Sequence, residues 1–404
     1  MDKSCLTLTH MSKNYFGQRS TAFGAIGLFL AIAALCSSAE AQALPISKEP
    51  GTNTNVDLDA GNPNQLNITG GQLSGDHQNL FHSFHQFGLN AGQIANFVSN
   101  PNIHKILGRV VGGDPSVING LIQVTGGQSN LFLMNPAGII FGSNASLNVP
   151  ASFTVTTATK IGFGNNWFNA SGVNNYGALV GHPSSFAFNI NQPGAIINSG
   201  HLNVDSGNLT LIGGTVVSTG QVSAPVGQIT LAAVANESLV QISQQGMLLS
   251  LEVEPLTDSQ SEKWTLPIKS LPELLTGDGG ENATGIAVNN SGKVELTGSE
   301  FRVENGDVVA NKLTAKTLKL SANQNITLVE SQLHATEEIQ LLAQDTVQVR
   351  DSVEQPFIAQ SGGSIKIQGT DKSGCYQSNK PNQSRGYRLN NSKQFGYCDQ
   401  FFNL

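Results

Sequence analysis

Charge is what this sequence has least of. Lys, Arg, Asp and Glu make up 12% of its 404 residues, about half of the ~25% usual in globular proteins. The 21 Lys and Arg are outnumbered by 28 Asp and Glu, for a formal net charge of −7. A chain so short of cations does not build the basic patches on which nucleic-acid binding rests, so no nucleic-acid partner is expected. Between Pro115 and Val204 there is no Asp or Glu, and Lys160 is the sole Lys or Arg. Paired carboxylates for general acid–base chemistry cannot be housed there. The other acids of the first half are few and scattered, Asp57, Asp59, Asp76, Asp114 and Asp205 among them. No catalytic residue, metal or cofactor is expected.

Cysteine is almost missing as well, with four in the whole chain. Cys5 and Cys36 fall in an N-terminal stretch, residues 1–43, that reads as an export signal. Lys13 and Arg19 form its positive flank, and residues 22–35 (AFGAIGLFLAIAAL) its uncharged core. Ala39-Glu40-Ala41 and Ala41-Gln42-Ala43 each fit a small-x-small cleavage site, and Met11 offers an alternative start. The apolar run is short for a bilayer span. Leu35 stands where lipidation of Cys36 would want a small residue. Cys375 and Cys398 are left, flanking a polar tail, residues 371–404, and their pairing is expected in an oxidising compartment.

Glycine is abundant, at 44 residues, and Asn recurs throughout. Both tolerate positive φ and supply turns. Between the turns run short alternating segments, the period-two pattern of half-buried strands. Leu209-Thr210-Leu211 returns as Ile229-Thr230-Leu231, a repeat of about twenty residues that suits one coil of a parallel β-helix. Leu202-Asn203-Val204, Thr215-Val216-Val217, Val294-Glu295-Leu296, Leu318-Lys319-Leu320, Ile326-Thr327-Leu328, Ile339-Gln340-Leu341, Val347-Gln348-Val349 and Ile365-Lys366-Ile367 continue the series. Asn-Gly and Asp-Gly hairpin signals between neighbouring runs are scarce, which disfavours a sandwich. The fold class is all-β, a parallel β-helix. Asn side chains at its corners are expected to stack and hydrogen-bond along the axis.

One segment, residues 244–292, breaks the rhythm with Glu252, Glu254, Asp258, Glu262 and Lys263. Within it Ser270-Leu271-Pro272-Glu273-Leu274-Leu275 reads as a capped short helix with Pro in its first turn. It is expected to be an insertion off the β-helix, with coiling resumed over residues 293–370.

Several local patterns fall short of a chemical motif. Gly162-Phe163-Gly164-Asn165-Asn166-Trp167 places Trp at the third glycine of a dinucleotide fingerprint. No Gly-x-Ser-x-Gly elbow occurs. Gly277-Asp278-Gly279-Gly280-Glu281-Asn282 resembles a calcium loop but occurs once, where calcium β-rolls need tandem copies. His77, His82 and His85 cluster in DHQNLFHSFHQFGLN, yet Phe81, Phe84, Phe87 and Leu89 read as the core side chains of this strand, with the histidines outside. The sequons at Asn67 and Asn144 imply no glycan.

Three segments carry a resemblance: NLFHSFHQFGLN (79–90), SNPNIHKILGRVVGGDPSVINGLIQV (99–124) and NLFLMNPAGIIFGSNASLNVPASFTVTTA (130–158). Together they resemble the two-partner secretion domain of filamentous haemagglutinin-type proteins, over residues 44–243. Asn135-Pro136-Ala137-Gly138-Ile139 is similar to the family's Asn-Pro-Asn-Gly-Ile, with Ala137 replacing Asn. Asn100-Pro101-Asn102-Ile103 is similar to its Asn-Pro-Asn-Leu. SLPELLTG also looks like the shorter-coil cyanobacterial members. The resemblance implies a right-handed β-helix with an N-terminal cap. It implies a partner, an outer-membrane β-barrel transporter whose periplasmic domains recognise these two motifs. It implies a secreted or cell-surface location and a role in adhesion to host cells, neighbouring cells or a polysaccharide surface.

Independently of that resemblance, Asn at the first, Pro at the second and Gly at the fourth position make 135–138 a type I turn between two buried strands. Two other readings stay open. One is a β-helical carbohydrate-active enzyme. The other is a short or split member consisting essentially of the secretion domain.

Overall fold

A computed structural model describes residues 45–242, 248–250, 264–277, 280–299, 301–352, 354–369 and 389–390. The export signal at 1–43, the Cys375/Cys398 pair and most of the polar tail lie outside the described residues.

The twenty-residue repeat is realised as a coil. Leu209, Thr210 and Leu211 lie in register beside Ile229, Thr230 and Leu231 on parallel neighbouring strands. Leu318-Lys319-Leu320, Ile339-Gln340-Leu341 and Ile365-Lys366-Ile367 stack on them in turn. This column is one of three parallel faces. The first, face A, begins with Asn79–Phe87, Lys105–Val110, Asn130–Met134, Phe153–Thr156 and Leu209–Gly213. Face B runs through Ser116–Ile118, Ile139–Phe141 and Ala195–Asn198 to Ile326–Val329 and Val347–Arg350. Face C runs through Gln65–Gly70, Ile94–Val98, Leu121–Thr125, Ser146–Asn148 and His201–Asn203 to Ile358–Ser361 and Leu389–Asn390. The long strands Thr215–Ala233, Val308–Ala322 and Gln332–Ala343 bend from one face to the next. Inward side chains of all three faces form one continuous lumen core, from Leu66 and Phe97 at one end to Leu341 and Val349 at the other.

The first coil is closed by antiparallel strands. Ile46–Lys48 pairs with the far end of Asn79–Phe87, Gln72–Leu73 with its beginning, and Thr54–Leu58 with Gln65–Gly70. These strands satisfy backbone groups that a bare β-helix end would leave unpaired, which is how native proteins protect a sheet edge.

The chain leaves the coil twice, over 157–194 and 234–307, both times at the corner between faces A and B. The departures meet outside. Lys160–Phe163, Asn166–Asn169 and Ser185–Phe188 from the first join Ser238–Ile242 and Leu248–Ser250 from the second in a five-stranded antiparallel sheet. Phe163, Phe168, Phe186 and Phe188 of this sheet pack on Phe81, Leu107, Phe132 and Met134, the outward residues of face A. The rest of the second departure covers face B, with Leu274, Ile286, Phe301 and Val303 packed on Ile140, Ile197 and Val217. Among the described residues face C is left uncovered, and Asn67, Asn96 and Thr125 hydrogen-bond along it from coil to coil.

Three expectations change. Val294–Leu296 is not a coil strand: it pairs antiparallel with Ile286–Val288, and the coil resumes at Val308. Period-two alternation reports a half-buried strand and says nothing about its partner. The departure at 157–194 has no counterpart in the sequence reading, although Gly164-Asn165 between two apolar runs is a two-residue hairpin signal, and Gly164 has φ +60°. Finally, His82 is inside the coil, not outside. Face A is buried on both sides, so Leu80, His82 and Phe84 enter the lumen while Phe81 faces the outer sheet.

Candidate functional site

The two Asn-Pro segments stand at opposite ends of face A. Asn100-Pro101-Asn102-Ile103 turns the chain from face C into Lys105–Val110, and Asn135-Pro136-Ala137-Gly138 turns it from Asn130–Met134 into face B. The fold therefore does not bring the two motifs together.

The first is an exposed corner. The Asn100 carboxamide oxygen accepts the Asn102 N–H at 2.9 Å, and the Asn100 carbonyl accepts the Ile103 N–H at 3.1 Å. Asn100, Pro101 and Asn102 are exposed, and Ile103 is buried in the lumen core as the anchor. Ser129 from the next coil ties the corner down: its hydroxyl donates to the Ile103 carbonyl at 2.5 Å and lies 2.6 Å from the Ser99 hydroxyl. The next corner must pass close beneath. A Cβ on Gly127 would lie 2.5 Å from the Asn100 carbonyl oxygen, and Gly126 has φ +85°. Only glycine fits both demands.

The second is a buried corner. The Asn135 carbonyl accepts the Gly138 N–H at 3.1 Å, closing the expected four-residue turn. The Asn135 side chain accepts the Ala137 N–H at 3.0 Å and donates to the Asp114 carbonyl and the Ser116 hydroxyl of the preceding coil, both at 3.0 Å. Its backbone N–H donates to Thr156 of the following coil at 3.0 Å. One residue thus joins three coils, and it is fully buried. Pro136, Ala137, Gly138 and Ile139 are buried too, and Leu274 of the helix Leu271–Thr276 closes over Gly138. Asn198 repeats the device at another corner, accepting the Gly200 N–H and donating to the Ser218 hydroxyl, each at 3.0 Å.

Sequence reasoning missed a third feature, a buried clamp at the capped end. Arg109 is 3% exposed. Its guanidinium donates to the Ser83 hydroxyl at 2.7 Å, to the Glu49 carboxylate at 3.0 Å, and to the carbonyls of Asn169 and Gly172 at 3.0 and 2.8 Å. The Ser83 hydroxyl donates in turn to Glu49. The clamp joins the N-terminal strands, the first two coils and the outer sheet. An isolated Arg in a strongly apolar strand is the signal that could have found it, since an unpaired buried charge is too costly to persist.

The histidine cluster disperses. His77 sits in an exposed turn at φ 59°, His85 is exposed, and His82 is 1% exposed in the lumen. Burial pushes the His82 imidazole down to about 4. Among the described residues no three His, Cys, Asp or Glu side chains converge as metal ligands would.

The family described as TPS secretion domain matches residues 41–264. The secretion domain of HMW1 from Haemophilus influenzae is 19% identical, with a TM-score of 0.37, over 79% of this chain and 72% of that one. The filamentous hemagglutinin secretion domain is 15% identical, with a TM-score of 0.35, over 83% of this chain and 97% of that one. No curated protein sequence matches. The family match takes in both Asn-Pro corners, the Arg109 clamp and the first departure from the coil, more than half of the chain. The chain belongs to the TPS secretion domain family, the domain with which substrates of two-partner secretion are exported.

Proposed function

We propose that this protein is exported through an outer-membrane β-barrel transporter whose periplasmic domains read the exposed Asn100–Ile103 corner, while the buried Asn135 turn holds the domain together once outside. Outside the cell it acts by surface contact, in adhesion to another cell or to a polysaccharide, and not by catalysis. The observation that carries this reading is the contrast between the corners. Pro101 and Asn102 project from a fixed turn and are free to be touched, whereas every residue from Asn135 to Ile139 is buried. A chain that crosses a pore unfolded gains from low charge and from coils that close one after another against their nearest neighbours. Each closed coil then opposes backward sliding.

Export with the cognate transporter tests both parts. Pro101→Ala with Asn102→Ser removes exposed groups and no buried one. It should cut the secreted fraction about tenfold, equivalent to roughly 1.4 kcal/mol of recognition, and leave the thermal midpoint of the purified protein unchanged. Wild-type secretion of that variant would remove the corner from recognition. Deleting the transporter should strand the chain in the periplasm, and continued export would defeat the transporter reading itself.

A further inference from the structure

The least expected side chain in the lumen is His82. It lies on face A beside Leu80 and Phe84, with ring centroids 6.2 Å from Phe84 and 5.9 Å from Phe97. The turn at Gly71 closes over it: a Cβ there would come 3.0 Å from the imidazole Cε1, and Gly71 has φ +87°. Its ladder partner in the next coil is Gly108, which adds no side chain. Among the described residues neither ring nitrogen has a hydrogen-bond partner.

Among the described residues no charge faces this ring. The titratable groups on the strands packed around it are Lys48, Glu49, Asp57, His85, Lys105 and Arg109. Glu49 and Arg109 pair through Ser83 on the outer side of the same strand. Lys105 also lies on that outer side, under the field of Asp76. Lys48, Asp57 and His85 are exposed. Burial alone moves the imidazole, and it opposes the charged form.

We propose that the first coil is an acid-labile closure: it packs only around a neutral His82, and protonation of that ring opens the capped end of the β-helix while the later coils stay stacked. This rests on the fold alone and not on the secretion reading. An imidazolium at this place would have aromatic rings and no acceptor, so the charged state requires the ring to reach water. Reaching water means parting Asn79–Phe87 from the strands of the cap. A coil at the end of a stack has one coil neighbour where an internal coil has two, so it opens at lower free energy than the rest. The sign follows from linkage. The folded-state pKa, about 4, lies below the ordinary 6.5. The open state therefore binds the extra proton, and closure is lost as pH falls below 6.5, until it levels off near 4.

Hydrogen exchange followed by mass spectrometry on the purified full chain, corrected for the intrinsic pH dependence of exchange, reads this directly. Between pH 7 and pH 4.5, peptides over 65–71 and 79–87 should lose protection by on the order of 50-fold, while peptides over 308–343 keep theirs. His82→Phe should hold first-coil protection at pH 4.5. Equal first-coil protection of the wild type at both pH values would overturn the proposal, and so would equal acid opening of the phenylalanine variant. If the larger ring prevents folding, His82→Leu replaces it. Independently, the His82 ring resonance in the wild type must not titrate near 6.5, and a midpoint there would overturn the proposal without any variant.

Discussion

Asn135 is fully buried and makes three side-chain hydrogen bonds, and the buried partners among them are left unsatisfied if the carboxamide goes. Asn135→Ala orphans the Ala137 N–H and frees the Asp114 carbonyl and Ser116 hydroxyl. An expected loss of about 2–4 kcal/mol follows, from one or two buried groups at ~1–3 kcal/mol each. The denaturant midpoint measures it, and a variant as stable as wild type would show that the turn is held by its backbone alone. The turn itself was legible in the sequence, because Asn, Pro and Gly each have a conformational reason to occupy their places. Its burial was not, nor was the position of His82. From Asn79 to Phe84 both sides of the strand are buried, so alternation cannot tell lumen from outer sheet. Chemical preference then puts phenylalanine inside and histidine outside, and at Phe81 and His82 this fold does otherwise.

The same two-sided burial governs whole elements. Asn130–Met134 is apolar without alternation because Leu131 and Leu133 enter the lumen and Phe132 and Met134 enter the outer core. The sequence displayed that run but not its cause, which is a sheet assembled from two segments whose pairing strands, Ser185–Phe188 and Ser238–Ile242, are far apart in the chain. The short helix Leu271–Thr276 was legible from Ser270, Pro272 and Glu273, and the Glu273 carboxylate accepts the Ser270 N–H and hydroxyl at 2.7 and 2.6 Å. Those bonds hold the carboxyl below its usual range. Six residues do not hold a helix in water, so tertiary packing must do so. Leu274, 2% exposed over Gly138 and Ile140, is that packing. Leu274→Ala should weaken the helix by about 2–4 kcal/mol. The coils do not depend on the helix, so proteolysis within 264–277 should accelerate while the global unfolding midpoint moves little. An unchanged cleavage rate would place the anchor elsewhere.

At the scale of the whole molecule, two buried ionisable groups pull stability in opposite directions with pH. Asp307, at the re-entry into the coil, is 2% exposed. Burial pushes its carboxyl up to about 6, although it accepts the Glu304 N–H, the Asn325 N–H and the Asn325 carboxamide. Its folded-state pKa lies above the ordinary 3.8. The stabilisation it brings is complete below that value and disappears as pH rises through about 6. His82 does the reverse, losing stabilisation as pH falls from 6.5 to about 4. Between pH 4 and 6 the folded chain holds about one proton more than the unfolded at Asp307 and about one fewer at His82, so the two contributions cancel in the global slope. A flat wild-type profile would therefore conceal both groups, and single variants expose them. Relative to wild type, His82→Phe should lose stability as pH rises from 4 to 6, and Asp307→Asn should gain it. Each difference should change by on the order of 2–3 kcal/mol across that interval, at 1.36 kcal/mol per pKa unit. Asparagine keeps the size of the side chain but gives up one acceptor, so Asp307→Asn carries a constant penalty, which the slope ignores. Urea midpoints at four pH values measure both slopes. Difference profiles parallel to the pH axis in both variants would mean that neither buried group changes its protonation on folding.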